Sequence, residues 1–238
     1  MNGKKTALVT GGARGIGESI SRVFAAAGYK VLIHCSQSEA AAKALCAELG
    51  DAEFFRADLS TPEGVRALYE AFGAPDVLVN NAGIALVKPF DSVSAQEAEK
   101  LYALDLFAPV NLTRLCVPAM ISRKSGCIIN VSSVFGESGG SCEVDYSAAK
   151  AGLIGFTKAL AKELGPSGIR VNCICPGVID TEMNDDLSFE DVESLTEEIP
   201  LCRMGTAEEV AKAALFLAGE GAEYITGAVL DVNGGWQG

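Results

Sequence analysis

Thr6-Ala7-Leu8-Val9-Thr10-Gly11-Gly12-Ala13-Arg14-Gly15-Ile16-Gly17 is a short β-prone run that breaks into a glycine-rich turn and opens directly into a helical pattern. A strand feeding a helix through Gly11, Gly15 and Gly17 lets the backbone approach a dinucleotide pyrophosphate, whose charge is favoured at a helix N-terminus. Such glycines on their own could merely make a tight turn. Their place after the first strand and before the first helix is the setting that the binding reading requires.

Outward from that stretch, strands and helices alternate. Strands are expected at 5–10, 30–34, 53–56, 76–80, 127–132, 169–175 and 227–232, with helices at 15–27, 38–49, 62–72, about 95–123, 147–164 and 206–219. Strand then helix, repeated, means a parallel sheet. The fold class is α/β: a Rossmann-type doubly wound parallel sheet of seven strands with helices on both faces. One domain is expected over 1–238, since no repeat, low-complexity tract or linker interrupts the pattern.

The formal charge of −12 argues against a nucleic-acid partner, because phosphate binding needs a basic surface. The first residues pass straight into a strand, and no stretch reaches the roughly 18 apolar residues of a membrane span, so a cytoplasmic protein without a membrane partner is expected. Eight cysteines are scattered through apolar segments without CxxC pairs, which reads as buried thiols in a reducing compartment and no metal site. The segment Asp180 to Glu198 carries nine carboxylates and no Lys or Arg. It reads as a mobile, solvent-facing substrate flap spanning about 179–203.

Tyr146 and Lys150 stand four residues apart, thirteen residues after Ser133. Positions i and i+4 share a helix face, so the Lys150 ammonium can sit beside the Tyr146 phenol and favour its ionised form, releasing a proton near neutral pH. The second strand ends at Cys35-Ser36 without the acidic residue that would bond an unmodified ribose, and Arg14 lies in the turn instead. A guanidinium there, helped by the Ser36 hydroxyl, suits a 2′-phosphate and favours NADPH over NADH. His34, the only histidine, is expected to be a satisfied structural group.

With Asn80-Asn81-Ala82-Gly83 added, the chain resembles the short-chain dehydrogenase/reductase family over nearly its whole length. The resemblance implies that Gly11, Arg14, Gly15, Ile16 and Gly17 bind the pyrophosphate end, and that Asp58 with Leu59 flank the adenine. Asn81, Ala82 and Gly83 would line the adenosine side, and Pro176-Gly177-Val178-Ile179 with Thr181 would hold the nicotinamide. Ser133 and Tyr146 would act on the substrate oxygen, with Lys150 also bonding the nicotinamide ribose. The family's Asn on the long helix is replaced here by Asp105, which should raise the lysine pKa and alter the proton relay.

Within the family, the helix from Tyr146 onward and Gly168-Ile-Arg-Val-Asn are similar to the 3-oxoacyl-acyl carrier protein reductases. The segments Gly136 to Val144, Glu197-Glu-Ile-Pro, Tyr224-Ile-Thr-Gly and Val232 to Trp236 resemble instead the elongation factor P 5-aminopentanone reductases. Arg123 and Lys124 match a patch that docks the acidic carrier protein, but Ser167 stands where a second arginine is expected, and the acidic flap would draw in an amine. Both substrates stay open. A third reading, of another class, is a non-catalytic module that senses NADPH, against which the intact Ser133, Tyr146 and Lys150 argue. The resemblance also implies a homotetramer built through the long helices and the last strand.

Overall fold

Strand β1 (Thr6–Val9) alternates its side chains between the two faces of the sheet, Ala7 and Val9 to one side and Leu8 to the other, and all three are fully buried. Burial on both faces is the signature of a parallel sheet covered by helices. The computed structural model describes residues 3–182 and 189–238. Around β1 it assembles β2 (Lys30–Cys35), β3 (Ala52–Arg56), β4 (Val77–Asn80), β5 (Gly126–Val131), β6 (Ile169–Pro176) and β9 (Val229–Val232). The order is β3-β2-β1-β4-β5-β6-β9, and every pairing is parallel. A two-stranded ladder, β7 (Ile179–Asp180) with β8 (Gly205–Thr206), lies apart from it.

One face is covered by α1 (Gly15–Ala26), α2 (Glu39–Leu49) and α9 (Ala207–Ala218), which bury Ile20, Phe24, Leu45, Val210 and Leu217 against the strands. The other takes α3 (Pro62–Phe72), α5 (Ala108–Arg123) and α7 (Val144–Leu164), with Leu68, Leu112, Met120 and Leu164 in its core. The remaining helices are α4 (Ala95–Tyr102), the one-turn α6 (Phe135–Ser138) and α8 (Phe189–Glu198). Because the chain runs outward from β1 through β2 and β3 before returning to β4, the strand order reverses between β1 and β4. Crevices at such reversals, outside the carboxyl ends of the strands, are where open α/β sheets bind ligands.

The long helical stretch expected at about 95–123 is continuous but not uniform. A π-helical turn, Ala103–Phe107, joins α4 to α5 and turns Asp105 inward to 1% exposure. Taken together, Ala95–Arg123 is long and apolar enough to cross a membrane by length and composition alone. Its apolar side instead forms core against α3 and the sheet through Leu112, Cys116 and Met120.

Helix α7 starts at Val144 rather than 147, so Tyr146 sits in its first turn. The flap also departs from expectation. Within it α8 forms, Leu195 and the buried Ile199 pack with Trp236, and the Trp236 indole N–H donates to Glu198 at 3.3 Å. Its apolar residues, spaced along one side, give this part of the segment a packed face despite the charge. The stretch 183–188 lies outside the described residues.

A buried chain of polar side chains ties the layers together. The Asn80 amide donates to Thr113 Oγ1 at 3.2 Å and to Asn130 Oδ1 at 2.8 Å, and the Asn130 amide donates to Thr157 Oγ1 at 2.8 Å. The Thr157 hydroxyl closes on the Leu153 carbonyl. Neighbouring strands β4 and β5 are thus pinned to α5 and α7. Asn130→Ala removes one acceptor from the Asn80 amide and the donor to Thr157 Oγ1, and should lower unfolding free energy by about 1 to 3 kcal/mol in denaturant titration, the ordinary cost of an unsatisfied buried group.

Candidate active site

The glycine turn is built for close approach. Gly11 and Gly15 adopt positive φ, +64° and +52°, where a side chain is strained. A Cβ on Gly17 would fall 2.1 Å from the Gly11 carbonyl oxygen and 2.6 Å from Asn81 Nδ2. His34 latches the same turn from β2. Its Nδ1 accepts the Gly11 N–H at 3.1 Å, its Nε2 lies 3.1 Å from the Ala57 carbonyl oxygen, and its own carbonyl accepts the Gly12 N–H at 3.0 Å. Burial lowers its pKa, keeping the ring neutral, with Nε2 as the protonated nitrogen. Structural satisfaction, as expected, is therefore its role.

Asn81 ties β4 to this loop. Its side-chain amide donates to the Thr10 carbonyl at 2.9 Å, and the Asn81 and Ala82 N–H groups both donate to Thr10 Oγ1, at 2.9 and 3.0 Å. Leu59 is buried near Ala82, while Asp58 spends its carboxylate on Ser60, accepting from its N–H at 2.9 Å and its hydroxyl at 2.7 Å. At the far rim, Thr181 lies about a van der Waals contact from the Cβ position of Gly15, and the Gly177 N–H donates to the Val232 carbonyl at 3.0 Å. Pro176 ends β6 beside Val232, and Ile179 is buried. The cradle that a Cβ would fill, at an N-terminus of α1 whose first N–H groups are open, fits a pyrophosphate.

Arg14, the N-cap of α1, is exposed and pairs with Glu182 at 3.4 Å. Ser36 is exposed past the end of β2. Arg56 at the end of β3 was not singled out from the sequence; its Nε donates to the Ser36 carbonyl at 3.0 Å, and it pairs with Glu39 at 3.3 Å. A basic residue closing the third strand, next to a second strand lacking a terminal acid, is the signal that would have found it.

Ser133 follows β5 and is 8% exposed, its hydroxyl oxygen accepting the Phe135 N–H at 3.2 Å beside the half-buried Tyr146 phenol. One helical turn on, Lys150 is 4% exposed. Its ammonium donates to the Val131 carbonyl at 3.2 Å, meets Asp105 Oδ2 at 3.2 Å and lies 5.4 Å from the Tyr146 ring centre. The Ser132 hydroxyl anchors the Lys150 carbonyl at 2.9 Å. Ser133, Tyr146, Lys150 and Asp105 therefore converge beside Gly83, above the carboxyl ends of β4 and β5.

The electrostatics correct one expectation. Burial pushes the Tyr146 phenol above its ordinary pKa; Lys150 pulls it down and Asp105 pushes it up, leaving a net rise. Burial works against the Lys150 charge, but Asp105 and then Tyr146 hold the lysine above its usual value. Burial likewise raises the Asp105 carboxyl against the pull of Lys150. Burial thus outweighs the pull of Lys150, and the phenol is moved away from the ionisation near neutrality that the spacing suggests. Elsewhere, the ligand atoms of Glu137, Cys175 and Asp231 lie within 4.8 Å of one another, and the neighbouring Asp231 raises the Glu137 carboxyl.

A glycine cradle at the strand-order reversal and a serine, tyrosine and lysine facing it define a dinucleotide-dependent oxidoreductase site. The family model described as enoyl-(acyl carrier protein) reductase matches residues 11–237. The chain is 44% identical over 241 residues to the "Uncharacterized oxidoreductase YmfI" of Bacillus subtilis (strain 168), covering 98% of each. It is also 44% identical to the 3-oxoacyl-[acyl-carrier-protein] reductase FabG of Chlamydia trachomatis serovar D, covering 97% of this chain and 96% of that one. A crystal structure assigned as a betaketoacyl-ACP reductase superposes with a TM-score of 0.90 at 32% identity, covering 97% of both chains. This chain belongs to the short-chain dehydrogenase/reductase family, oxidoreductases that act on ketone and alcohol groups and use nicotinamide cofactors.

His34 supplies a test. Its folded pKa lies below the ordinary 6.5, so its contribution to stability is present above that value and lost as pH falls towards the folded one. Compared by chemical denaturation at about pH 7.5 and about pH 5, the wild type should lose more stability than His34→Gln, which cannot titrate. Equal losses would remove His34 from the acid limb.

Proposed function

We propose that this protein is an NADPH-dependent carbonyl reductase that converts a ketone to a secondary alcohol, most like a 3-oxoacyl-[acyl-carrier-protein] reductase. The observation that carries this reading is the convergence of Ser133, Tyr146 and Lys150 at the edge of the sheet where Gly11, Gly15 and Gly17 leave backbone open. Gly11, Arg14, Gly15, Ile16 and Gly17 hold the pyrophosphate, Asp58 and Leu59 the adenine, and Asn81, Ala82 and Gly83 the adenosine side. Pro176, Gly177, Ile179 and Thr181 hold the nicotinamide, and Tyr146 and Lys150 its ribose. NADPH is favoured over NADH because β2 ends at Ser36 without a carboxylate, with Arg14 on one side and Arg56 on the other.

The bound nicotinamide, when reduced, supplies the hydride for the carbonyl carbon. The protein's part is charge and proton placement. The Ser133 hydroxyl donates to the substrate oxygen and stabilises its growing negative charge, and the protonated Tyr146 phenol delivers the proton to that oxygen. Lys150, held by Val131 and Asp105, fixes the phenol's surroundings from a dry position.

A second reading, reduction of a 5-aminopentanone carried on elongation factor P, is favoured by one specific observation. Arg123, half of the basic patch matched to acyl carrier docking, spends its guanidinium on the carbonyls of Ser125, Ala74 and Pro75. A guanidinium bonded to three carbonyls is a poor docking group for an acidic carrier, while the carboxylates near the flap favour an amine. Exposed Phe107 and Ile121 on the long helix support a homotetramer, and the eight free cysteine thiols support a cytoplasmic setting.

Tyr146→Phe should lower ketone-dependent NADPH oxidation by about a hundredfold or more, the ordinary size of a lost general acid, while NADPH binding by fluorescence stays within a fewfold. Loss of cofactor binding, or unimpaired turnover, contradicts the assigned role; tight NADPH binding by the wild type without turnover of any ketone would favour a sensing module. Incubation of the wild type with NADPH and each carrier separates the substrates. Rapid turnover of an acetoacetyl carrier protein alone removes the aminopentanone reading, and turnover of the modified elongation factor alone removes the other.

A further inference from the structure

Two buried charges of opposite sign meet where the family pattern has an amide. Asp105 Oδ1 accepts the Ile84 N–H at 2.9 Å, while Oδ2 faces the Lys150 ammonium at 3.2 Å and has no aligned hydrogen-bond partner among the described residues. Side-chain exposure is 5% for the lysine and none for the aspartate, so no solvent screens the pair. Gly83 gives the carboxylate its room: a Cβ there would lie 2.5 Å from Asp105 Oδ2 and 3.2 Å from Lys150 Nζ. The π turn Ala103–Phe107 aims it.

The total charge of this pair does not depend on where its proton sits. Ammonium with carboxylate and amine with carboxylic acid both sum to zero. An amide at position 105 would leave Lys150 as a bare cation one helical turn from Tyr146, and a bare cation favours phenolate. We propose that Asp105 is a positioning residue that cancels the Lys150 charge, so that Tyr146 rests as a neutral phenol and stays a proton donor to alkaline pH. This inference rests on Tyr146 being the proton donor of the reductase reading.

The other groups facing the pair and the phenol do not undo the cancellation. Tyr146 also faces the uncharged Ser133 hydroxyl after β5 and the half-buried Glu143 carboxyl at the start of α7, which adds negative charge. Lys150 also faces the Cys173 thiol on β6, likewise a neutral or negative group. Each turnover moves one proton from Tyr146 to the substrate oxygen and returns one from solvent. Reduction then persists to alkaline pH, until the phenol ionises.

The test is a pH titration of phenolate absorbance in the cofactor-free protein, with Tyr146→Phe subtracted to isolate Tyr146. Tyr146 should ionise above the ordinary phenol value of 10.0 in the wild type. In Asp105→Asn it should ionise about one pH unit or more lower. The alkaline limb of ketone reduction should move down by the same amount. A wild-type Tyr146 that titrates at or below the ordinary value, or a titration unmoved by Asp105→Asn, overturns the inference. If Asp105→Asn fails to fold, Asp105→Ser, which also removes the carboxylate, takes its place: the Tyr146 titration should again move down, and an unmoved titration overturns the inference. A shifted titration without turnover of any ketone would overturn the reductase reading and leave the charge cancellation standing.

Discussion

The Lys150 ammonium sits almost dry between the Val131 carbonyl, the Asp105 carboxylate and the Tyr146 ring, and each of the three comes from a different element. A charge so enclosed is costly unless it is paired and hydrogen-bonded. The surroundings therefore have to be held in register: β5 by its neighbours β4 and β6, the π turn by α4 and α5, and α7 by the polar chain from Asn80 through Asn130 to Thr157. What looks like catalytic detail is in this sense a condition on the whole fold.

The nucleotide end obeys a different constraint, close backbone approach. Gly17 packs where even a methyl group would strike the Gly11 carbonyl, and the turn is clamped from β2 by His34 and from β4 by Asn81 and Thr10. The clamp from β4 sits at the strand-order reversal between β1 and β4, and the clamp from β2 on the other side of β1. The same few residues that shape the crevice also brace the centre of the sheet.

Much of this was legible beforehand because it is written in short-range patterns. Alternating apolar strands and helices gave the seven parallel strands, and the i, i+4 spacing of Tyr146 and Lys150 placed both on one face of α7. What escaped was long-range or conditional. The net rise in the Tyr146 pKa depends on burial and on Asp105 arriving from another helix, neither visible in the spacing. Helix α8 was hidden by charge, its packing on Trp236 being set by residues far apart in sequence. Arg123 looked free for docking until the carbonyls of Ala74 and Pro75, brought in from the loop before β4, were seen to occupy it.

Those long-range contacts also bear on the substrate. In a chain of net charge −12 the matched docking arginine is tied to its own backbone, which bears on the choice between the two proposed carriers and not on the ketone reduction common to both. The most direct measurement is the magnetisation transfer between the nicotinamide C4 proton of bound NADPH and the Tyr146 ring protons, assigned with Tyr146→Phe. The account predicts a strong cross-relaxation peak, with the phenol over the reactive carbon. A bound nucleotide whose nicotinamide shows no proximity to Tyr146 would contradict it.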